Sequence, residues 1–185
     1  MDIIFHYKDP QGQQEMLHRL TALIKKHRDV VIICIGSDRV SGDSLGPLVG
    51  TFLQEECHQA KVYGTLEEPV HAKNLEDVAA KVNKNHPDAF VIAVDACLGR
   101  VSSIENIILA EKPLKPGSGV NKELPEVGDI NIQGIVNMSG FVPHLLIQNT
   151  RLHTVFNMAR IIAGTLAQAL IAHKHFSHVY NLRKA

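Results

Sequence analysis

Between residues 15 and 27, apolar side chains recur in steps of three and four at Met16, Leu17, Leu20, Leu23 and Ile24, which predicts an amphipathic helix. The stretch "DVVIICIGS" follows, an unbroken and largely β-branched run over residues 30–35 closed by Gly36. Such a run predicts a strand buried on both faces, as parallel sheets require. Leu45, Leu48, Val49, Phe52 and Leu53 return to helical spacing and predict a second helix over residues 44–57. Pro47 is tolerated in its first turn, where an amide hydrogen has no intrahelical partner. A weaker strand is predicted over residues 61–65, and a helix from Asn74 with Leu75, Val78, Ala79 and Val82 on one side. A second continuous apolar strand covers residues 89–94 and ends at Asp95. Further strands are predicted over residues 104–109 and from Gly128 onward, with a Gly-, Pro- and charge-rich loop over 112–127 between them. In the last helix Leu152, Val155, Phe156, Ala159, Ile162, Ala163, Leu166 and Leu170 follow one face, and a polar tail is expected from about residue 174. Strands alternating with helices, two of the strands continuously apolar, predict one α/β domain: a three-layer α/β/α sandwich around a mostly parallel sheet.

Composition narrows the function classes. The 185 residues are 45% hydrophobic, enough to build a core without disulfides or a structural metal. Nineteen basic residues against nineteen acidic ones provide no field that would draw nucleic acid or an anionic membrane surface, so neither is expected as a partner. Cys34, Cys57 and Cys97 are odd in number, widely spaced and without a C-x-x-C pair, which suggests a reducing compartment. No amino-terminal leader pattern and no membrane-crossing segment are read, so a cytoplasmic protein is expected.

Open parallel sheets bind ligands beyond the carboxyl ends of their strands. Asp95 follows one apolar strand directly, and Asp43 sits on the loop after another, so neighbouring strands would bring both carboxylates to one rim. Two close carboxylates cannot both ionise freely; one keeps its proton while the other activates a water, as in aspartic proteases. Each has a plainer reading. Asp43 could be a helix N-cap, worth about 1 kcal/mol, whereas an acid straight after a buried strand is costly unless something uses it. The letters G-D-S-L over residues 42–45 also suggest a Ser44 nucleophile, but no aspartate is followed three residues later by a histidine, so base and orienter are missing. Cys97 reads as a small buried hydrophobe. His173, His175 and His178 are expected on a frayed, solvated terminus. His144 and His153 lie nearer the presumed rim, and His153 could orient or protonate a substrate, although capping or packing is the better account of it. The loop "PGSGVNKEL" offers Gly117, Ser118, Gly119 and Asn121, whose backbone amides could receive a peptide carbonyl.

"ICIGSDRVSGDSLGPLVG", "VIAVDACLGR" and "PGSGVNKEL", in that order, resemble the spore germination protease, an atypical aspartic endopeptidase, and more closely the short sporulation proteins of the YyaC type. The resemblance covers about residues 30–169 and implies the phosphorylase/hydrolase-like sandwich shared with hydrogenase-maturation peptidases. It matches the two protease aspartates to Asp43 and Asp95. It implies a sporulation-associated aspartic-type endopeptidase with a protein or peptide substrate, in the forespore or mother cell of a spore-forming bacterium. Homo-oligomerisation is left open. At "HTVFNMA" Asn157 stands where the protease has an acid. In the hydrogenase-maturation relatives an acid of the first block, the strand-end Asp and a later histidine bind nickel of the precursor; no histidine matches after "NIQGIVNMSG", so no metal or cofactor is assigned. Two rivals accompany this reading: a catalytically silent, protein-binding sporulation factor, and a metal-dependent maturation peptidase.

Overall fold

The computed structural model describes residues 2–116 and 124–182, with the side chains of 175–182 left aside. Six strands form one sheet: β1 (Ile3–His6), β2 (Val30–Cys34), β3 (Lys61–Tyr63), β4 (Phe90–Gly99), β5 (Asn106–Ala110) and β6 (Ile130–Met138). Their order is β1-β5-β6-β4-β2-β3, and β6, β4, β2 and β3 run parallel, while β5 is antiparallel to both its neighbours. Five helices join them: α1 (Pro10–Ile24), α2 (Leu45–Glu56), α3 (Leu75–Asn85), α4 (Pro143–Gln148) and α5 (Leu152–Leu182).

Strand alternation divides the core in two. Ile32, Cys34, Ile92, Val94, Ile107, Leu109 and Ile132 face a large cluster with Met16 and Leu20 of α1, Leu45, Val49 and Leu53 of α2, and Val155, Met158 and Ile162 of α5. Val31, Ile33, Ile35 and Ala93 face a smaller cluster with Leu75 and Val82 of α3, completed by Val70, Leu114 and Val127. The expected three layers are therefore present but unequal, with three helices on one face and α3 on the other.

Several expectations are corrected. α1 begins at Pro10 with Asp9 as its N-cap, its carboxylate accepting from the Gln11 amide at 3.0 Å. β1 and α4 have no counterpart in the sequence reading; at four and six residues neither is long enough to show a period. β4 does not stop at Val94. It runs to Gly99, paired with β6 as far as Met138, with a bulge between Cys97 and Leu98. α5 continues as helix to Leu182, past the point where a polar tail is expected, and His173 is buried rather than on a solvated terminus, its Nε2 2.7 Å from the His27 carbonyl oxygen. Finally, residues Leu152–Lys174 are long and apolar enough to cross a membrane, contrary to the sequence reading, but 56% of that window is buried against the rest of the molecule, as befits a core helix.

Candidate functional site

The site is made where β2 stops and β4 does not. Cys34 is the last paired residue of β2, opposite Val94, and the Ile35 amide donates to the Val94 carbonyl at 2.7 Å. One residue further along β4 stands Asp95, beyond the end of β2 and still paired to Gln133 of β6. By alternation it shares the face of Ala93, the side that carries α3. It is therefore an acid inside a strand, at a notch left by a shorter neighbour, rather than a strand-end acid.

Asp43 reaches the same notch from the loop after β2. Gly36 turns the chain with φ +145°, and a Cβ there would run into the Asp43 carbonyl oxygen. That oxygen accepts the Ser37 amide at 3.1 Å, which closes the loop on itself. Asp43 then sits in a single 3-10 turn, Gly42–Ser44, that leads straight into α2. α4 braces this turn from outside: Ser41 Oγ donates to the Gln148 and Thr150 carbonyls at 3.1 and 2.7 Å, and a Cβ at Gly42 would meet the Ile147 carbonyl. The N-cap position of α2 belongs to Ser44, not Asp43, and no side-chain cap bond forms there. Ser44 is buried, with Oγ donating to the Ser41 carbonyl at 2.7 Å, which makes it a structural hydroxyl.

The two carboxyl groups are electrostatically unequal. Burial raises Asp95 well above the ordinary carboxylate range, and the charge of Asp43 pushes it further; the Ala96 amide, 2.8 Å from Oδ1, acts weakly in the opposite sense. Burial also raises Asp43, opposed by a hydrogen bond from the Ser37 amide and by the charge of His71. The amino end of α2 adds a further preference for negative charge at Asp43. Asp95 is thus the acid that keeps its proton and Asp43 the one that ionises first. Cys97, two residues along β4, is pushed up to about 12 by burial and by Asp95, so its thiol stays protonated.

A cleft of about 680 Å³ opens beside Asp43, lined from the β2 loop by Ser37, Asp38 and Arg39 and from the β3–α3 connection by Leu66, Pro69 and His71, among others. Sequence reasoning missed His71, because it lies in a coil with no motif around it. It is placed by an isolated parallel bridge between Ile35 and Val70, with the Gly36 amide donating to the Val70 carbonyl at 2.7 Å. His153 is exposed in the first turn of α5, with Asn157 Nδ2 3.0 Å from its Nε2, and does not line the cleft. His144 is exposed on α4 and does not line it either. Gly117, Ser118, Gly119 and Asn121 lie outside the described residues. The stem of their loop is described: Leu114 and Val127 exchange both backbone hydrogen bonds, at 2.8 and 2.9 Å, on the α3 face of the sheet. Among the described residues there is no group of three or more His, Cys, Asp or Glu side chains that could hold a metal ion.

Residues 4–165 match the family described as "protein of unknown function (DUF1256)". The chain belongs to the DUF1256 family. It is 53% identical over 141 residues to the uncharacterised protein YyaC of Bacillus subtilis (strain 168), an alignment covering 76% of this chain and 69% of that protein. Among solved structures, this DUF1256 chain is similar to the [NiFe] hydrogenase maturation protease HycI from Thermococcus kodakarensis KOD1. The TM-score is 0.54 at 20% identity, with 82% of this chain and 98% of that one covered. At that identity the likeness is one of fold.

Proposed function

We propose that this DUF1256 protein is an aspartic-type endopeptidase that hydrolyses peptide bonds of a protein substrate, of the germination-protease kind, in the cytoplasm of a spore-forming cell. The observation that carries this reading is the pairing of two inequivalent carboxyl groups, Asp43 and Asp95, at the end of β2, where the charge of one raises the other. In the proposed reaction, ionised Asp43 takes a proton from water as its oxygen attacks the scissile carbonyl, and protonated Asp95 donates to the carbonyl oxygen. Collapse of the tetrahedral species breaks the C–N bond: the amine leaves with the proton taken up by Asp43, and one hydroxyl of the gem-diol returns its proton to Asp95 as the C=O bond re-forms, which restores both groups. Further support for a protein substrate comes from apolar side chains exposed at the end of β6 and on α4, namely Met138, Phe141, Val142 and Leu145, with Phe141 fully exposed. The fold it shares with HycI agrees with peptidase chemistry in general.

The test is incubation of the purified wild type, Asp43→Ala and Asp95→Ala with extract from sporulating Bacillus subtilis, with new peptide termini read by mass spectrometry. New termini from the wild type alone are expected, with a loss of at least about a hundredfold in either variant. Identical profiles from all three would leave a protein-binding role instead.

A further inference from the structure

Resting on the two-aspartate reading, we propose that His71 is a positioning residue of the site: it shares the cleft wall with Asp43 and selects which of the two carboxyl groups serves as the base. Its backbone is fixed on both sides. Val70 is bonded to the end of β2, and the His71 amide donates to Asn74 Oδ1 at 2.8 Å while Asn74 Nδ2 donates to the Pro69 carbonyl at 3.0 Å. The ring is not similarly used: Nδ1 is buried with no hydrogen-bond partner.

The other charged groups around Asp43 do not replace it. Asp38 and Arg39 come from the same loop as Asp43, Glu67 and Lys73 from the same connection as His71, and all four line the cleft with exposed side chains, where solvent screens them. Asp95 approaches from β4 and is itself raised by the charge of Asp43, with Cys97 neutral beside it. His144 of α4, Arg151 and His153 of α5 lie outside the cleft lining. Of the cations in the cleft, His71 is the one whose charge acts on Asp43. A pair of carboxyl groups can share one proton in two ways, and a cation beside one of them selects which.

Carboxyl-carbon NMR titration tests this without any need for turnover. In His71→Gln the Asp43 midpoint is expected to rise by about one pH unit, narrowing its separation from Asp95, and in His71→Lys to return toward the wild-type value. An unmoved Asp43 midpoint in folded His71→Gln overturns the proposal. If neither variant folds, the ring of His71 is titrated in wild type and in Asp43→Asn. Reciprocity requires that loss of the Asp43 charge lower the His71 midpoint, and no change overturns the proposal equally. A separate arm addresses the peptidase reading itself. If Asp43→Asn leaves the Asp95 midpoint where it was, the carboxyl groups are independent and that reading fails, whatever His71 does.

Discussion

At the scale of single residues, the division of labour in the "SGDSL" segment follows from where each side chain ends up. Ser41 ties the turn to α4, Ser44 ties it to itself, and only Asp43 is left facing the cleft. Ser44→Ala should therefore lower stability by about 1 kcal/mol, the net worth of one buried hydrogen bond, while leaving any cleavage within about twofold of wild type. Urea unfolding and the peptide-terminus assay check the two halves, and loss of activity with stability unchanged would restore Ser44 as a nucleophile. The closeness of Asp43 and Asp95 was legible in the sequence because each comes just after a continuous apolar run, and neighbouring parallel strands bring such positions to one edge of the sheet. His71 was not legible, since what puts it beside Asp43 is one bridge between backbone segments with no periodic signal in either.

Among the elements, α2 is the one whose sequence carries information beyond hydrophobic spacing. Gly42, Gly46 and Gly50 recur every four residues, and a Cβ on them would meet the Ile147, Ile35 and Gly64 carbonyls respectively. The helix and its preceding turn thus lie directly on backbone, with no layer of side chains between, and this close approach sets the depth at which Asp43 sits. Gly46→Val should lift α2 from the end of β2 and cost about 3 kcal/mol in urea unfolding, even though valine belongs among apolar neighbours. A variant as stable as the wild type would show that the helix can shift without loss. The elements best read from the sequence were those with long periods, α5 and the two buried strands. The overrun of β4 was misjudged because "DACLG" lacks the apolar signal of "FVIAV": past Val94 the strand has lost β2 on one side, and residues 96–99 are only partly buried.

For the molecule as a whole, Asp95 links the site to stability. Its folded-state midpoint lies above the unfolded one, so the folded protein binds this proton more tightly; the contribution is complete below the ordinary carboxylate midpoint and is lost as pH rises through the raised one. Asp95→Asn, nearly the same shape and neutral throughout, escapes that loss. The variant should be more stable than wild type by an increment growing from about pH 4 upward, on the order of 1.4 kcal/mol per pH unit until the folded midpoint is passed, and constant above it. Denaturation midpoints measured across pH 4–8, a range of about four units, decide this, and a pH-independent difference between the two proteins would show that Asp95 is not held protonated in the fold. The overall sandwich was legible from alternation of element types alone, whereas the inequality of its layers was not, because it depends on which face each crossover takes.

That inequality has a dynamic corollary. The thin layer, α3 with the coil that bears His71, rests on the smaller of the two apolar clusters, while the turn that bears Asp43 is gripped by the thicker one. Local opening draws first on whatever is least buried. The jaw of the cleft that bears His71 is therefore expected to open at a lower free-energy cost than the jaw that bears Asp43.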